Sequence, residues 1–172
     1  MASILAAQGS AALRQGRQQP AAVLFADIRG FTARAEALPP PELARFMSAF
    51  RRRATRAIEL HSGIIDKFIG DAVMAIFGVP DPGPSDAANA VRAALALLNE
   101  IDDWNREAAA EGLPSVCLGV GVHHGLVFAG ALGDEARQGA SGESGALLAP
   151  AASGSAEGSS GETNRHCSRT VA

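Results

Sequence analysis

Two aspartates stand out for what surrounds them. Asp27 closes the short apolar run Ala21 to Ala26 (AAVLFA) and is followed by Ile28-Arg29-Gly30-Phe31-Thr32. Asp71 follows Gly70 between two more apolar runs, IIDKFI (Ile64 to Ile69) and AVMAIF (Ala72 to Phe77). Carboxylates are hard oxygen donors suited to divalent cations, and a glycine-containing turn that enters a helix offers backbone N–H groups to phosphates. If the first run is a strand beside a hairpin made of the other two, both carboxylates reach one end of a sheet, where paired Mg²⁺ ions serve phosphoryl chemistry. A plainer reading explains each alone: Asp27 caps a helix, and Asp71 fills a turn position that aspartate favours. Spacing by itself leaves both readings open.

The other reactive side chains make weaker constellations. His123 and His124 are adjacent, and neighbouring strand residues point to opposite faces, so they cannot grip one ion; one is expected packed and the other solvated. Cys117 reads as a buried strand residue and Cys167 as part of a terminal segment. Two cysteines are too few for a disulfide framework and lack zinc-site spacing. No Ser-His-Asp or Cys-His arrangement is apparent.

The elements that must position Asp27 and Asp71 follow from periodicity. Ala21 to Ala26 is too short for a helix and suits a buried strand. From Pro41, apolar residues Leu43, Phe46, Met47, Phe50, Ala54, Ala57 and Ile58 recur at helical intervals, a core-packing stripe. The two runs around Gly70-Asp71 have the tight two-residue connection of a β-hairpin. Pro80 to Pro84 is a loop, Ser85 suits the cap of a second long helix through Ile101, and Gly112-Leu113-Pro114 ends it. Val116 to Val122 is a further strand, and the run Leu126 to Ala131, after Gly125, is expected to pair back against it. Strand, helices, hairpin, helix, strand, strand describes an α+β sheet with helices on one face.

Composition bounds the rest. The 172 residues are 47% apolar and 19% charged with a net charge of -3, an ordinary single-domain balance with no basic footprint for nucleic acid. No run approaches the roughly 18 to 20 apolar residues of a membrane span, and a cytoplasmic location is expected. Residues 1–20 read as a linker. Gly139 to Ala172 is about three-fifths Gly, Ser and Ala, without an aromatic residue, and is expected to be a low-complexity, disordered tail with Leu147-Leu148 too short a patch to order it. Of the 15 basic residues all but Lys67 are arginine, so this lysine invites a specific explanation.

VLFADIRGFT (Val23 to Thr32), HSGIIDKFIGDAVMAIFG (His61 to Gly78) and LGVGVHHGLVFAGALG (Leu118 to Gly133) resemble, in order, the motifs of class III adenylate and guanylate cyclase catalytic domains. The resemblance spans about residues 21–138. It implies a ferredoxin-like βαββαβ sandwich acting as a dimer with sites at the subunit interface. It implies that Asp27 and Asp71 hold two Mg²⁺ or Mn²⁺ ions with the carbonyl of Ile28, and that Phe31 and Thr32 lie where the backbone meets the triphosphate. Lys67 matches the purine-reading position, where lysine goes with adenine. Its ammonium suits the N1 acceptor of adenine, whereas guanine presents N1–H. The implied activity is formation of cyclic AMP and pyrophosphate from ATP in cyclic-nucleotide signalling.

The resemblance stops near Arg137-Gln138. The family continues there with a strand bearing a second purine contact and a helix carrying an asparagine and an arginine, whereas this sequence runs GASGESGALLAPAASGSAEGSS. The expectation is a cyclase domain incomplete at its C-terminus, as from a truncation or a shifted frame, weak or inactive alone. Charge-stabilising arginines in phosphoryl transfer are worth about 10³ to 10⁵ in rate. The alternative is a non-catalytic nucleotide-binding or dimerisation module that pairs with a complete cyclase subunit; blander still is a fragment that does not fold stably.

Overall fold

A computed structural model of the protein describes residues 17–131 and 146–150. Strand β1 (Arg17–Ile28) is followed by the short helix α1 (Phe31–Ala37) and the long helix α2 (Pro40–Leu60). The hairpin β2 (Ile64–Ile69) and β3 (Ala72–Phe77) comes next, then helix α3 (Asp86–Ala110), β4 (Leu118–Ala131) and β5 (Ala146–Pro150). The strands form an antiparallel sheet in the order β2-β3-β1-β4-β5. Its first four strands with α2 and α3 make the βαββαβ arrangement that the sequence implies, with β1 central.

Alternation along the strands decides which face is covered. Leu24, Ala26 and Ile28 of β1, Val73, Ala75 and Phe77 of β3, and Leu118 and Val120 of β4 pack with Phe50, Ala54 and Ile58 of α2 and Leu97, Leu98 and Ile101 of α3 in one core. Phe50, Phe77, Leu24, Ile58, Leu97 and Val73 are its largest fully buried side chains, each worth about 1.5 to 3 kcal/mol of transfer free energy. The intervening residues Phe25, Asp27, Met74 and Gly121 belong to the opposite face, which no helix covers among the described residues. Pro40 and Pro41 sit in the first turn of α2, where a missing N–H costs nothing. Ser85 holds the cap position of α3, but its side chain makes no cap bond; Asp86 instead accepts a hydrogen bond from Gly83 N at 2.6 Å.

Three expectations are corrected. Leu126 to Ala131 does not fold back: β4 runs unbroken through Gly125 and pairs with β1 from Arg17↔Ala129 to Ile28↔Leu118. The reason is that β1 begins at Arg17, within the expected linker, and so offers a partner along the whole of β4. Within the expected tail, Ala146–Pro150 forms β5 on the outer edge of β4, because an unpaired strand edge recruits even a short extended segment; the rest of that tail lies outside the described residues. His123 and His124 are both exposed. Leu118, Val120 and Val122 lie in or against the core, whereas His124, Leu126 and Phe128, farther along the same side of β4, are exposed.

Candidate active site

The β1 register decides where the two aspartates stand. Asp27 lies opposite Ala72 of β3, the residue directly after Asp71, and opposite Gly119 of β4. Asp71 occupies the two-residue turn that Ile69↔Ala72 closes. Gly70 before it has a φ of 59°, a left-handed value that glycine takes at little steric cost and that suits a tight hairpin. Asp27 on β1 and Asp71 in the turn that leads into β3 therefore stand at one end of the sheet, and both residues are half-buried.

Gly119 makes room for the first of them. A Cβ at this position would lie 2.5 Å from Asp27 Oδ1 and 2.7 Å from both Nε and a terminal nitrogen of Arg29. The carboxylate of Asp27 and the guanidinium of Arg29 thus share a hollow that any side chain at 119 would fill. Sequence reasoning singled out neither Arg29 nor Gly119. Arg29 lay in plain sight two residues after Asp27, but the closeness of Gly119 depends on the β1–β4 register.

The hollow is held from behind. Arg29 N donates to Cys117 O at 2.9 Å. Asn105 of α3 grips Val116 on both sides, with Nδ2 donating to Val116 O at 2.8 Å and Oδ1 accepting from Val116 N at 2.7 Å. Arg34 of α1 donates to Ser115 O at 2.7 Å and lies 4.9 Å above the Phe46 ring, which packs on Trp104 at 5.1 Å. The segment that starts β4, and with it Gly119, is thereby tied to both α1 and α3. Cys117, expected as a buried strand residue, is half-buried one position before β4; Cys167 lies outside the described residues.

Ile28 follows Asp27 at the end of β1. Gly30, in the left-handed conformation, precedes α1, whose first residues are Phe31 and Thr32. The first intrahelical bond is Arg34 N to Gly30 O, so the N–H groups of Phe31 and Thr32 come before the helical ladder, as at any helix start. Phe31 packs on the core while Thr32 is exposed.

Among the described residues no three His, Cys, Asp or Glu side chains converge as a metal-binding group; the register leaves Asp27 and Asp71 as two carboxylates at one end of the sheet. Such a pair beside a hollow fits a hard divalent cation, which commonly takes one or two protein carboxylates and completes its shell with phosphate or water oxygens.

Lys67 is placed apart. It lies opposite Met74, which lies opposite Phe25, which lies opposite Gly121. Asp27 belongs to the next row on the same face, two strands away from Lys67, about 10 Å across the sheet. Phe25, Ile64 and Ile69 on this face are 43%, 50% and 51% exposed. Among the described residues no helix is long and apolar enough to cross a membrane.

The family model of the adenylate and guanylate cyclase catalytic domain matches residues 13–139. An adenylate cyclase of Anabaena cylindrica is 36% identical over 141 residues, covering 78% of this chain and 27% of that protein. This chain thus spans about a quarter of the length of that relative. The guanylyl cyclase Cya2 superposes with a TM-score of 0.70 at 29% identity, over 79% of this chain and 66% of the other. The adenylyl cyclase CyaB from P. aeruginosa gives the same TM-score at 25% identity, over 78% and 67%. One fold thus accompanies both purines, and any choice between them must rest on individual side chains.

Proposed function

Because the chain belongs to the adenylate and guanylate cyclase catalytic-domain family, we infer that it supplies half of an ATP-cyclising site. The reaction joins the ribose 3′-oxygen to the α-phosphorus and breaks the bond from that phosphorus to pyrophosphate, with the 3′-hydroxyl proton lost. Asp27 and Asp71, with the carbonyl of Ile28, are the groups to hold two Mg²⁺ or Mn²⁺ ions. When bound, such ions acidify the 3′-hydroxyl and offset phosphate charge. The free N–H groups of Phe31 and Thr32 suit phosphate oxygens. Lys67 donates to N1 of adenine, a position where guanine carries a hydrogen. A second cyclase subunit covers the open sheet face, bringing its own base-reading half to Asp27 while Lys67 serves the reciprocal site. The product, cyclic AMP, places the chain in cyclic-nucleotide signalling.

The observation that carries this reading is the register of Asp27 against Ala72, next to Asp71, with the hollow at Gly119 beside the carboxylate. The sequence of residues 139–172 matches no Asn/Arg pattern of the family, and the 172-residue polypeptide paired with itself is expected to turn over near background. The test mixes it with a complete cyclase subunit whose own metal aspartates are mutated, so that neither protein alone is active. Cyclic AMP formation that is lost with Asp27→Asn supports the half-site. No activity despite demonstrated heterodimers overturns it and leaves a non-catalytic nucleotide-binding or dimerisation module.

A further inference from the structure

Asp66 and Lys67 are consecutive residues of β2, yet their charged ends meet: Lys67 Nζ lies 3.1 Å from Asp66 Oδ2. In a regular strand they would point to opposite faces. Here the register shifts between Ile65, opposite Ala75, and Lys67, opposite Met74. Asp66 is the extra residue of a β-bulge, a device that re-aims side chains locally. The Asp66 side chain is 1% exposed, against 37% for Lys67, and neither of its oxygens has a partner in hydrogen-bonding geometry. Its contact with Lys67 is an ion pair at close range.

That combination argues against a purely structural role. A buried carboxylate without hydrogen bonds weakens a fold, and replacing it with an apolar group is commonly neutral or stabilising. What it does accomplish is to hold the end of a flexible four-carbon stem. Lysine carries three N–H donors, so an ammonium drawn to Asp66 keeps others for a ligand. Lys67 shares its row with Met74 and Phe25 on the helix-free face, so the anchored ammonium serves that face.

We propose that Asp66 is a positioning residue, a buried carboxylate that acts through Lys67 to fix the ammonium for a purine-ring acceptor and so sets the preference for adenine over guanine nucleotides. The proposal rests on the reading of Lys67 as the base contact. The pair is also asymmetric. Without Asp66, Lys67 is exposed enough to be solvated; without Lys67, a buried charge is left uncompensated.

The test uses the full 172-residue chain, with calorimetric binding of Mg²⁺-ATP and Mg²⁺-GTP and thermal melts. Asp66→Ala is expected to keep or raise the Tm while lowering the ATP-to-GTP affinity ratio about tenfold, the scale of one hydrogen bond to a charged group. Asp66→Asn, which keeps the side-chain shape, is measured alongside in case the alanine variant does not fold. Lys67→Met is expected to lower both the Tm and the ratio, and adding Asp66→Ala to it to restore the Tm. If Lys67→Met loses the ATP preference and Asp66→Ala and Asp66→Asn keep it, positioning is refuted while the base contact stands. If Lys67→Met keeps the preference, the base contact itself fails and the positioning role falls with it. A Tm drop for Asp66→Ala as large as that for Lys67→Met overturns the proposal in favour of a structural pair.

Discussion

The two faces of this sheet are made from the same strands and serve opposite ends. On the helix-covered face, Leu24, Ala26, Val73 and Phe77 meet Phe50, Ile58 and Leu97 in an apolar core. On the helix-free face the residues one step along the same strands are Phe25, Asp27, Met74 and Lys67, with apolar groups left in solvent and two rows of chemistry-bearing groups between them. Exposed apolar surface of this kind marks a site for a partner or a ligand. The period of two along a strand thus separates the demands of folding from those of binding without spending a separate element on either.

The contrast can be broken from the covered side with the largest effect. Phe50→Ala leaves a cavity in the core and should lower the unfolding free energy by about 3 to 5 kcal/mol, read as a shift in the denaturant midpoint. From the open side, Asp71→Asn should remove the Mg²⁺-dependent part of ATP affinity, a loss of about tenfold or more. Calorimetry with and without metal checks this, and unchanged metal dependence would rule out the carboxylate pair. Gly119→Ala sharpens the comparison, since the atoms nearest its Cβ are the far ends of the Asp27 and Arg29 side chains. It should weaken metal-dependent ATP binding about as much as Asp71→Asn while moving stability by less than about 1 kcal/mol. Phe25→Ser should be the mildest for the monomer, within about 1 kcal/mol, yet should weaken self-association in sedimentation velocity.

What the sequence revealed, and what it hid, divides along the same line. Asp27 at the end of β1, the Gly70-Asp71 turn, the stripe of α2 and the start of α3 were legible because each is a local pattern of period, cap or turn. The unbroken β4 was not, since Gly125 reads as punctuation unless it is known that β1 reaches back to Arg17. The bulge at Asp66 was hidden for a different reason. An extra residue changes which face a side chain takes without leaving any mark in composition, and IIDKFI reads as an ordinary strand. Gly119 looks like any strand glycine until the register sets it against Asp27. Long-range register was the missing quantity for β4 and for Gly119.

The two aspartates also differ in how firmly the backbone holds them. Asp27 belongs to β1, which is paired on both sides from Ala22 to Asp27, and amides of such a doubly paired stretch are expected to exchange with solvent only through global unfolding. Asp71 sits at the tip of a hairpin whose outer strand, β2, is an edge of the sheet and carries the bulge. Fraying of that hairpin would carry Asp71 away from Asp27 while the rest of the sheet stayed closed. The pair is therefore built from one fixed jaw and one hinged jaw. On warming, cation affinity should decay several degrees before the main melting transition, and deuterium uptake around residues 69–72 should be slowed by the cation far more than uptake around residue 27.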